Sequence, residues 1–294
     1  MNRKKLVLID NGYLQFRSIF AWRNKKQIPS TWYYMASLIS ALRRIGITEE
    51  DKVLIAVDSK YGSWRKDIEK QYKANRKEFR KKQRDIDWGK QFKDFNRLLV
   101  TLKYNTPFEV VAMKKLEADD IIAVACRYYK DYDIVIVSAD SDFEQLWIYD
   151  NVSIFSPLIK IKGGKGGYKI RHKNPYSLLA KKIRKETADN LVSEVSNEQE
   201  YEIRKKIVSL IELPEWVEQK VLNKLPELSF NTPFNFQSLP FPNSIGKRIE
   251  YIYNQDKVIT YEDCLRRFEK KRRKNARKNY GNRRRPTRSR RSQA

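Results

Sequence analysis

Three short runs of apolar residues, rich in β-branched side chains, each end on an aspartate: Leu6 to Asp10, Val53 to Asp58 and Ile134 to Asp140. Near-continuous apolar runs of this length are the pattern of strands buried on both faces of a parallel sheet. Segments of helical length separate them. Thr31 to Ile45 carries an apolar stripe, Arg65 to Arg84 is strongly charged, and Phe92 to Leu102 follows. Ala118 to Tyr129 comes next, opened by Leu116-Glu117-Ala118-Asp119-Asp120. The rhythm predicts βαβ units and an α/β fold with a parallel sheet. Open sheets of this kind place their sites outside the carboxyl ends of the strands, so the three strand-ending aspartates are expected to converge. A fourth run, Val152 to Phe155, is expected to extend the sheet. Residues 162–167, Lys-Gly-Gly-Lys-Gly-Gly, lack the spacing of a phosphate-cradling loop and predict a flexible turn.

From about Pro175 the chain becomes helical and Lys/Glu-rich, with breaks at Pro214, Pro226, Pro233, Pro240 and Pro242. Beyond Phe268 the periodicity gives way to Arg, Lys, Asn and Ser, too polar to bury a core. The organisation predicted is an α/β domain over 1–174, a smaller helical domain over 175–269 and a basic, disordered tail over 270–294.

Charge narrows the function. The formal net charge is +26, from 62 Lys and Arg against 36 Asp and Glu, which points to a polyanionic partner, nucleic acid first. Residues 270–294 hold 13 of the basic residues and no acid, so the tail supplies half of the excess. Cys126 and Cys264 stand far apart in no metal-type spacing, and His172 is the one histidine, which excludes a zinc site and a disulfide framework. No run of eighteen apolar residues occurs, and the first strand begins too early for a signal peptide. A monomeric, cytoplasmic protein with no membrane contact is expected.

Against that basic background the acids fall at particular places. Asp10, Asp58, Glu117, Asp119, Asp140 and Asp142 all occupy strand ends or helix starts. One such aspartate is ordinarily a cap or a turn residue; six at matching topological positions are not accounted for in that way. Clustered carboxylates repel one another unless cations neutralise them, and all-oxygen ligation suits Mg²⁺, with Mn²⁺ able to substitute. Two such ions would activate a water and stabilise a leaving oxygen in phosphodiester hydrolysis. Asp120 is placed outside this set, as a hydrogen-bonding or capping residue.

The motifs Leu6-Val7-Leu8-Ile9-Asp10, Tyr72-Lys73-Ala74-Asn75-Arg76, Leu116-Glu117-Ala118-Asp119-Asp120 and Val137-Ser138-Ala139-Asp140-Ser141-Asp142 resemble the flap endonuclease and 5′-3′ exonuclease superfamily. Ser59-Lys60-Tyr61-Gly62-Ser63-Trp64-Arg65-Lys66-Asp67, Asp87-Trp88 and Ser141-Asp142-Phe143-Glu144-Gln145-Leu146 are similar to the T-even phage ribonuclease H branch of it. The resemblance covers roughly residues 5 to 195. It implies a PIN-like nuclease domain with two Mg²⁺ ions and a helical arch, followed by a helix-three-turn-helix unit that grips duplex DNA. It also implies removal of RNA primers and 5′ flaps in replication, on DNA and RNA–DNA hybrids, alongside single-strand-binding or clamp proteins. By the same resemblance Glu186 and Asp189 inherit the last two ligand positions, although Lys185-Glu186 stands where the family has Gly-Asp. Asp10 and Asp58 take a catalytic role with the ions, and Lys73 and Arg76 approach the scissile phosphate. Arg65, Lys66, Tyr72, Lys73, Arg76 and Lys77 are expected to touch nucleic acid, Tyr72 by stacking on a base. From composition alone, the same basic segment is equally a solvated helix face. The competing functions are a PIN-type ribonuclease of single strands and a binding protein without catalysis.

Overall fold

The apolar runs alternate their side chains between two covered faces, and this alternation builds the layers of the molecule. The computed structural model describes residues 3–24, 26–161, 164–172, 174–185 and 198–233, with scattered positions from 235 to 273. In chain order the main elements are β1 (Lys5–Asp10), α1 (Asn11–Arg23), α2 (Ser30–Ile45), β2 (Lys52–Val57), α3 (Arg65–Ile68), α4 (Asn75–Lys82) and α5 (Trp88–Asn105). They continue as β3 (Glu109–Ala112), α6 (Ala118–Tyr128), β4 (Asp133–Val137), a 3₁₀ segment (Asp142–Ile148), β5 (Val152–Ile161), β6 (Gly164–Tyr168), α7 (Pro175–Lys185), α8 (Glu198–Val208) and α9 (Glu215–Lys224).

The strands form one sheet in the order β3-β2-β1-β4-β5-β6, parallel except for β6. Val7 and Ile9 of β1, Val53 and Ile55 of β2, and Val135 and Val137 of β4 pack under α2 and α5, against Tyr34, Met35, Leu38, Leu42, Phe95 and Leu98. Leu6, Leu8, Leu54, Ala56, Ile134 and Ile136 face the other way, onto α6. Truncating one of these fully buried leucines to alanine is expected to cost about 2–5 kcal/mol. The same second cluster contains Leu210, Val217, Val221 and Leu225. Among the described residues, the helical stretch after residue 198 therefore shares its core with the sheet.

Three sequence expectations change. Arg65 to Arg84 is not one helix: α3 ends after a single turn, Lys73 sits at φ 55°, and α4 begins at Asn75. Ten basic residues on one helix repel, and breaking it sends some of them to separate partners. The strand β3 was too short, at four residues, to stand out from its surroundings. The glycine-rich run is also more than a turn, because Gly164–Tyr168 pairs antiparallel with β5. Gly164 and Gly166 take φ of 144° and 111°, and a β-carbon on Gly166 would stand 2.9 Å from the Phe155 ring, so this strand needs glycine. The tail beyond residue 273 lies outside the described residues.

Candidate active site

Register fixes the first three site positions. Asp10 pairs with Ala56 and Ile9 with Val137, so the carboxyl ends of β1, β2 and β4 lie level and their loops emerge side by side. Asp10 caps α1, its Oδ1 accepting from the Tyr13 backbone N–H at 3.0 Å, while Oδ2 accepts from Ser138 Oγ at 2.8 Å. Burial pushes its carboxyl up to about 6, and the charges of Asp58 and Asp140 add to that effect against the two hydrogen bonds. Ser138 Oγ in turn accepts from the Asp140 N–H, and Asp140 Oδ1 accepts from the Asp142 N–H. Lys169 holds this loop from outside, donating to the Ala139 and Asp140 carbonyls and to Glu144.

The start of α6 docks onto the end of β2, where Asp58 Oδ1 accepts from the Ala118 N–H at 2.8 Å. That contact brings Asp119 to the cleft. Burial raises its carboxyl well above the usual range, and the neighbouring charges of Asp10, Glu117 and Asp58 work in the same direction while Lys73 opposes them. Asp120 is fully buried. It accepts from Trp64 Nε1 and from the Glu117 N–H, and Arg65 Nη2 lies 2.8 Å from its Oδ1.

Glu117 does not line the cleft with the aspartates and is bonded by the basic segment. Its Oε2 accepts from Arg65 Nη1 at 3.0 Å and from the Tyr72 hydroxyl at 2.9 Å, and its Oε1 from Lys73 Nζ at 2.9 Å. Burial would raise its carboxyl, but the cations of Lys73 and Arg65 hold it at about 2. Both oxygens thus take protein donors, as both oxygens of Asp10 do. For Arg65 and Tyr72 the expectation of nucleic-acid contact is corrected: each is buried, 2% and 3% exposed, and bonds Glu117. Tyr72 cannot stack on a base from that position. Aromatic and guanidinium groups that the sequence makes equally suited to nucleic acid are here drawn inward by the charges of Glu117 and Asp120, which would be costly to bury without partners.

Asp10, Asp58, Asp119, Asp140 and Asp142 line one cleft of about 910 Å³, and Lys73 and Arg76 line the same cleft. Lys66 and Lys77 are exposed but do not line it. Glu186 and Asp189 lie outside the described residues. Sequence reasoning missed Arg17, which also lines the cleft; Phe79, Arg80 and Lys82 line it too, from within the basic segment 65–84. A signal for Arg17 was present, since Asp10 caps α1 and position 17 falls about two turns along the same side. None existed for Lys169, which reaches the Asp140 loop across 29 residues.

The donor set fits divalent cations of the oxygen-loving kind. Two carboxyls held neutral-leaning by burial and by each other gain from a cation nearby. The space beside Asp10 and Asp58 is kept by Gly12, whose β-carbon would stand 3.5 Å from Asp10 Oδ1 and 3.6 Å from Asp58 Oδ2. Among the described residues no three His, Cys, Asp or Glu are gathered tightly enough to enclose an ion. They ring a cleft, which suits an ion that keeps waters and shares its coordination with a phosphate.

A family model for the 5′-3′ exonuclease, N-terminal resolvase-like domain, matches residues 5–173. The chain belongs to the flap endonuclease/5′-3′ exonuclease superfamily. Within it, ribonuclease H of Enterobacteria phage T4 is 37% identical over 120 residues, 38% of this chain and 39% of that protein. A 5′-3′ exonuclease of Mycoplasmopsis pulmonis is 32% identical over 146 residues, 49% of this chain and 45% of that one. The chain thus spans less than half the length of these curated relatives. A solved structure of the bacteriophage T5 flap endonuclease with DNA and metal ions covers 86% of this chain and 99% of its own, at a TM-score of 0.50 and 20% identity, a likeness of fold. The sheet and its helices are those of a resolvase-like, PIN-type domain. No helix among the described residues is long and apolar enough to cross a membrane.

Proposed function

We propose that the protein is a Mg²⁺-dependent 5′ nuclease that hydrolyses phosphodiesters at the 5′ ends and flaps of DNA and of RNA–DNA hybrids, and that it removes RNA primers and flaps during replication in the cytoplasm. The observation that carries the reading is the meeting of Asp10, Asp58, Asp119, Asp140 and Asp142 with Lys73 and Arg76 in one cleft. A pure binder of nucleic acid gains nothing from five carboxylates facing phosphate. Mg²⁺ held by these carboxylates would supply the Lewis-acid chemistry and offset the negative charge of the substrate. Mn²⁺ has the same taste for oxygen and is expected to substitute.

The chain's own residues do the rest. Lys73 keeps its proton: burial alone would lower its pKa, but Glu117 more than offsets this. It therefore presents a fixed positive charge to a phosphate whose oxygens grow more negative as the bond breaks. Arg76 and Arg80, on α4, line the same cleft. Phe79 is half exposed on the same helix and offers a face for base stacking. The test is digestion of a 5′-flap duplex, an RNA–DNA hybrid and single-stranded RNA, each labelled at both ends, with and without Mg²⁺. Short 5′ products from the flap and the hybrid are expected. Cutting confined to single-stranded RNA, or binding without cutting, would replace this reading with one of its rivals.

A further inference from the structure

The backbone turn that closes α8 is held by side chains from the sheet domain; one of them bonds the carboxylates at the start of α6, and another lies in the 3₁₀ segment that begins at Asp142. Arg65 Nε donates to the Ile207 carbonyl at 2.7 Å, while its other nitrogens engage Glu117 and Asp120. Gln145 donates to the Val208 carbonyl at 3.1 Å and accepts from the Leu210 N–H at 3.0 Å. It lies three residues after Asp142 in the same 3₁₀ segment, and it is fully buried. Arg127 grips the turn as well, donating to the Leu210 and Ile211 carbonyls, but it touches none of the cleft carboxylates. Burying a guanidinium and an amide is costly, and apolar side chains would fasten a turn equally well. What the polar groups add is a fixed position for both ends of each link.

We propose that Arg65 and Gln145 are positioning residues that make the Ile207–Leu210 turn part of the support of the cleft carboxylates. Through Arg65 the end of α8 sets the start of α6, and with it Glu117 and Asp119. Through Gln145 the same turn sets the segment that begins at Asp142. The helices after residue 198 and the acidic cleft are then one mechanical unit, and a loss of either link loosens the carboxylates without removing a ligand. The proposal rests on the nuclease reading for its activity arm, and the ion-binding arm stands apart from it.

The experiment compares Arg65→Gln and Gln145→Met with Arg127→Gln in the full chain. Mn²⁺ affinity is followed by electron paramagnetic resonance without substrate, single-turnover cleavage of the flap duplex is measured at saturating Mg²⁺, and thermal midpoints are recorded. Arg65→Gln and Gln145→Met are expected to weaken Mn²⁺ binding and to slow cleavage at saturating substrate by roughly tenfold or more, the scale at which small misplacements act. The substrate concentration for half-saturation is expected to move by less than about twofold. Arg127→Gln is expected to lower the thermal midpoint and leave Mn²⁺ affinity and rate alone. Removing the Arg65 charge would by electrostatics alone tighten Mn²⁺, so weaker binding is a sign that only positioning gives. Tighter or unchanged Mn²⁺ binding in Arg65→Gln, or equal defects in Arg127→Gln, overturns the proposal. If Arg65→Gln does not fold, Arg65→Lys and Gln145→Met are held to the same criteria. If the unmodified protein cleaves nothing, the nuclease reading fails and the Mn²⁺ titrations alone decide.

Discussion

Asp119 and Asp120 are neighbours in sequence, yet they are expected to respond in opposite senses to the same replacement. Asp120→Asn keeps the shape but removes the charge that faces Arg65 at 2.8 Å, with both side chains out of solvent. Glu117 remains as a second partner for the guanidinium, so Arg65 is not stranded, but half of its compensation is lost. The asparagine must also offer Trp64 Nε1 and the Glu117 N–H an acceptor from one oxygen, with its amide group directed at Arg65. Breaking a buried pair from one side costs about 3–5 kcal/mol. At roughly 2–4 °C per kcal/mol for a chain of this size class, that is a fall in thermal midpoint of about 6–20 °C.

Asp119→Asn acts the other way in the ion-free protein. Its carboxyl is held above its usual range by burial and by Asp10, Glu117 and Asp58, so its ionised form is a burden that the neutral amide removes. Thermal unfolding at neutral pH with excess chelator is therefore expected to show Asp119→Asn at or above the unmodified protein and Asp120→Asn well below it. With Mg²⁺ added, the unmodified protein gains and Asp119→Asn gains less, because ions that bind the folded state stabilise it. If Asp120→Asn unfolds within about 1 kcal/mol of the unmodified protein, the buried pair is not what orders the start of α6. If Asp119→Asn is the less stable of the two, its place among mutually repelling carboxylates is wrong.

Asp10→Asn and Asp142→Asn are each expected to abolish cleavage while leaving nucleic-acid affinity equal or improved, read by digestion and by filter binding, since each removes a negative charge facing phosphate. Lys73→Ala with Arg76→Ala is expected to lower the single-turnover rate by more than it weakens substrate binding, because the proposed contacts are to the reacting phosphate. In the ion-free protein Asp10, with its carboxyl raised from 3.8 to about 6, binds a proton more readily folded than unfolded, so its contribution to stability falls as pH rises from about 4 to about 6. Urea midpoints across that interval are expected to flatten in Asp10→Asn. Removing residues 270–294 is expected to weaken binding to all sequences alike and to flatten its dependence on salt, as fewer counterions are released.

Strand ends and helix starts were legible because backbone geometry decides them. A both-faces-buried strand needs an unbroken apolar run, and the chain must turn out of the sheet where the run ends, so Asp10, Asp58 and, three residues past β4, Asp140 could be placed near the sheet edge without coordinates. Partner choice among buried charges was not legible. Nothing in Ser63-Trp64-Arg65-Lys66 distinguishes an arginine that will be 2% exposed from a lysine that will be solvated, because the difference is made by Glu117, Asp120 and Ile207, up to 142 residues away. The basic segment 65–84 has the composition of a nucleic-acid surface throughout, and only the positive φ at Lys73 and the inward partners of Arg65 and Tyr72 split it into an inner brace and an outer wall.

The choice between cap and ligand, which the sequence poses at every strand end, dissolves in the geometry. Asp10 Oδ1 caps α1 through the Tyr13 N–H, Asp58 Oδ1 takes the Ala118 N–H at the start of α6, and Asp140 Oδ1 takes the Asp142 N–H. Each aspartate commits one oxygen to a backbone donor, which fixes the carboxyl plane and stabilises its charge. The other oxygen differs from case to case: Ser138 holds Asp10 Oδ2, while Asp58 Oδ2 faces the space kept open by Gly12. Capping is thus the means by which acids that repel one another are held ready in one cleft, and a substitution that removes the cap also disorders the donor. Aspartate is suited to both tasks at once because its carboxyl stands one methylene from the backbone. Asparagine can keep the cap and lose the charge, which is why the asparagine variants, and not the alanine ones, separate folding from chemistry at this site.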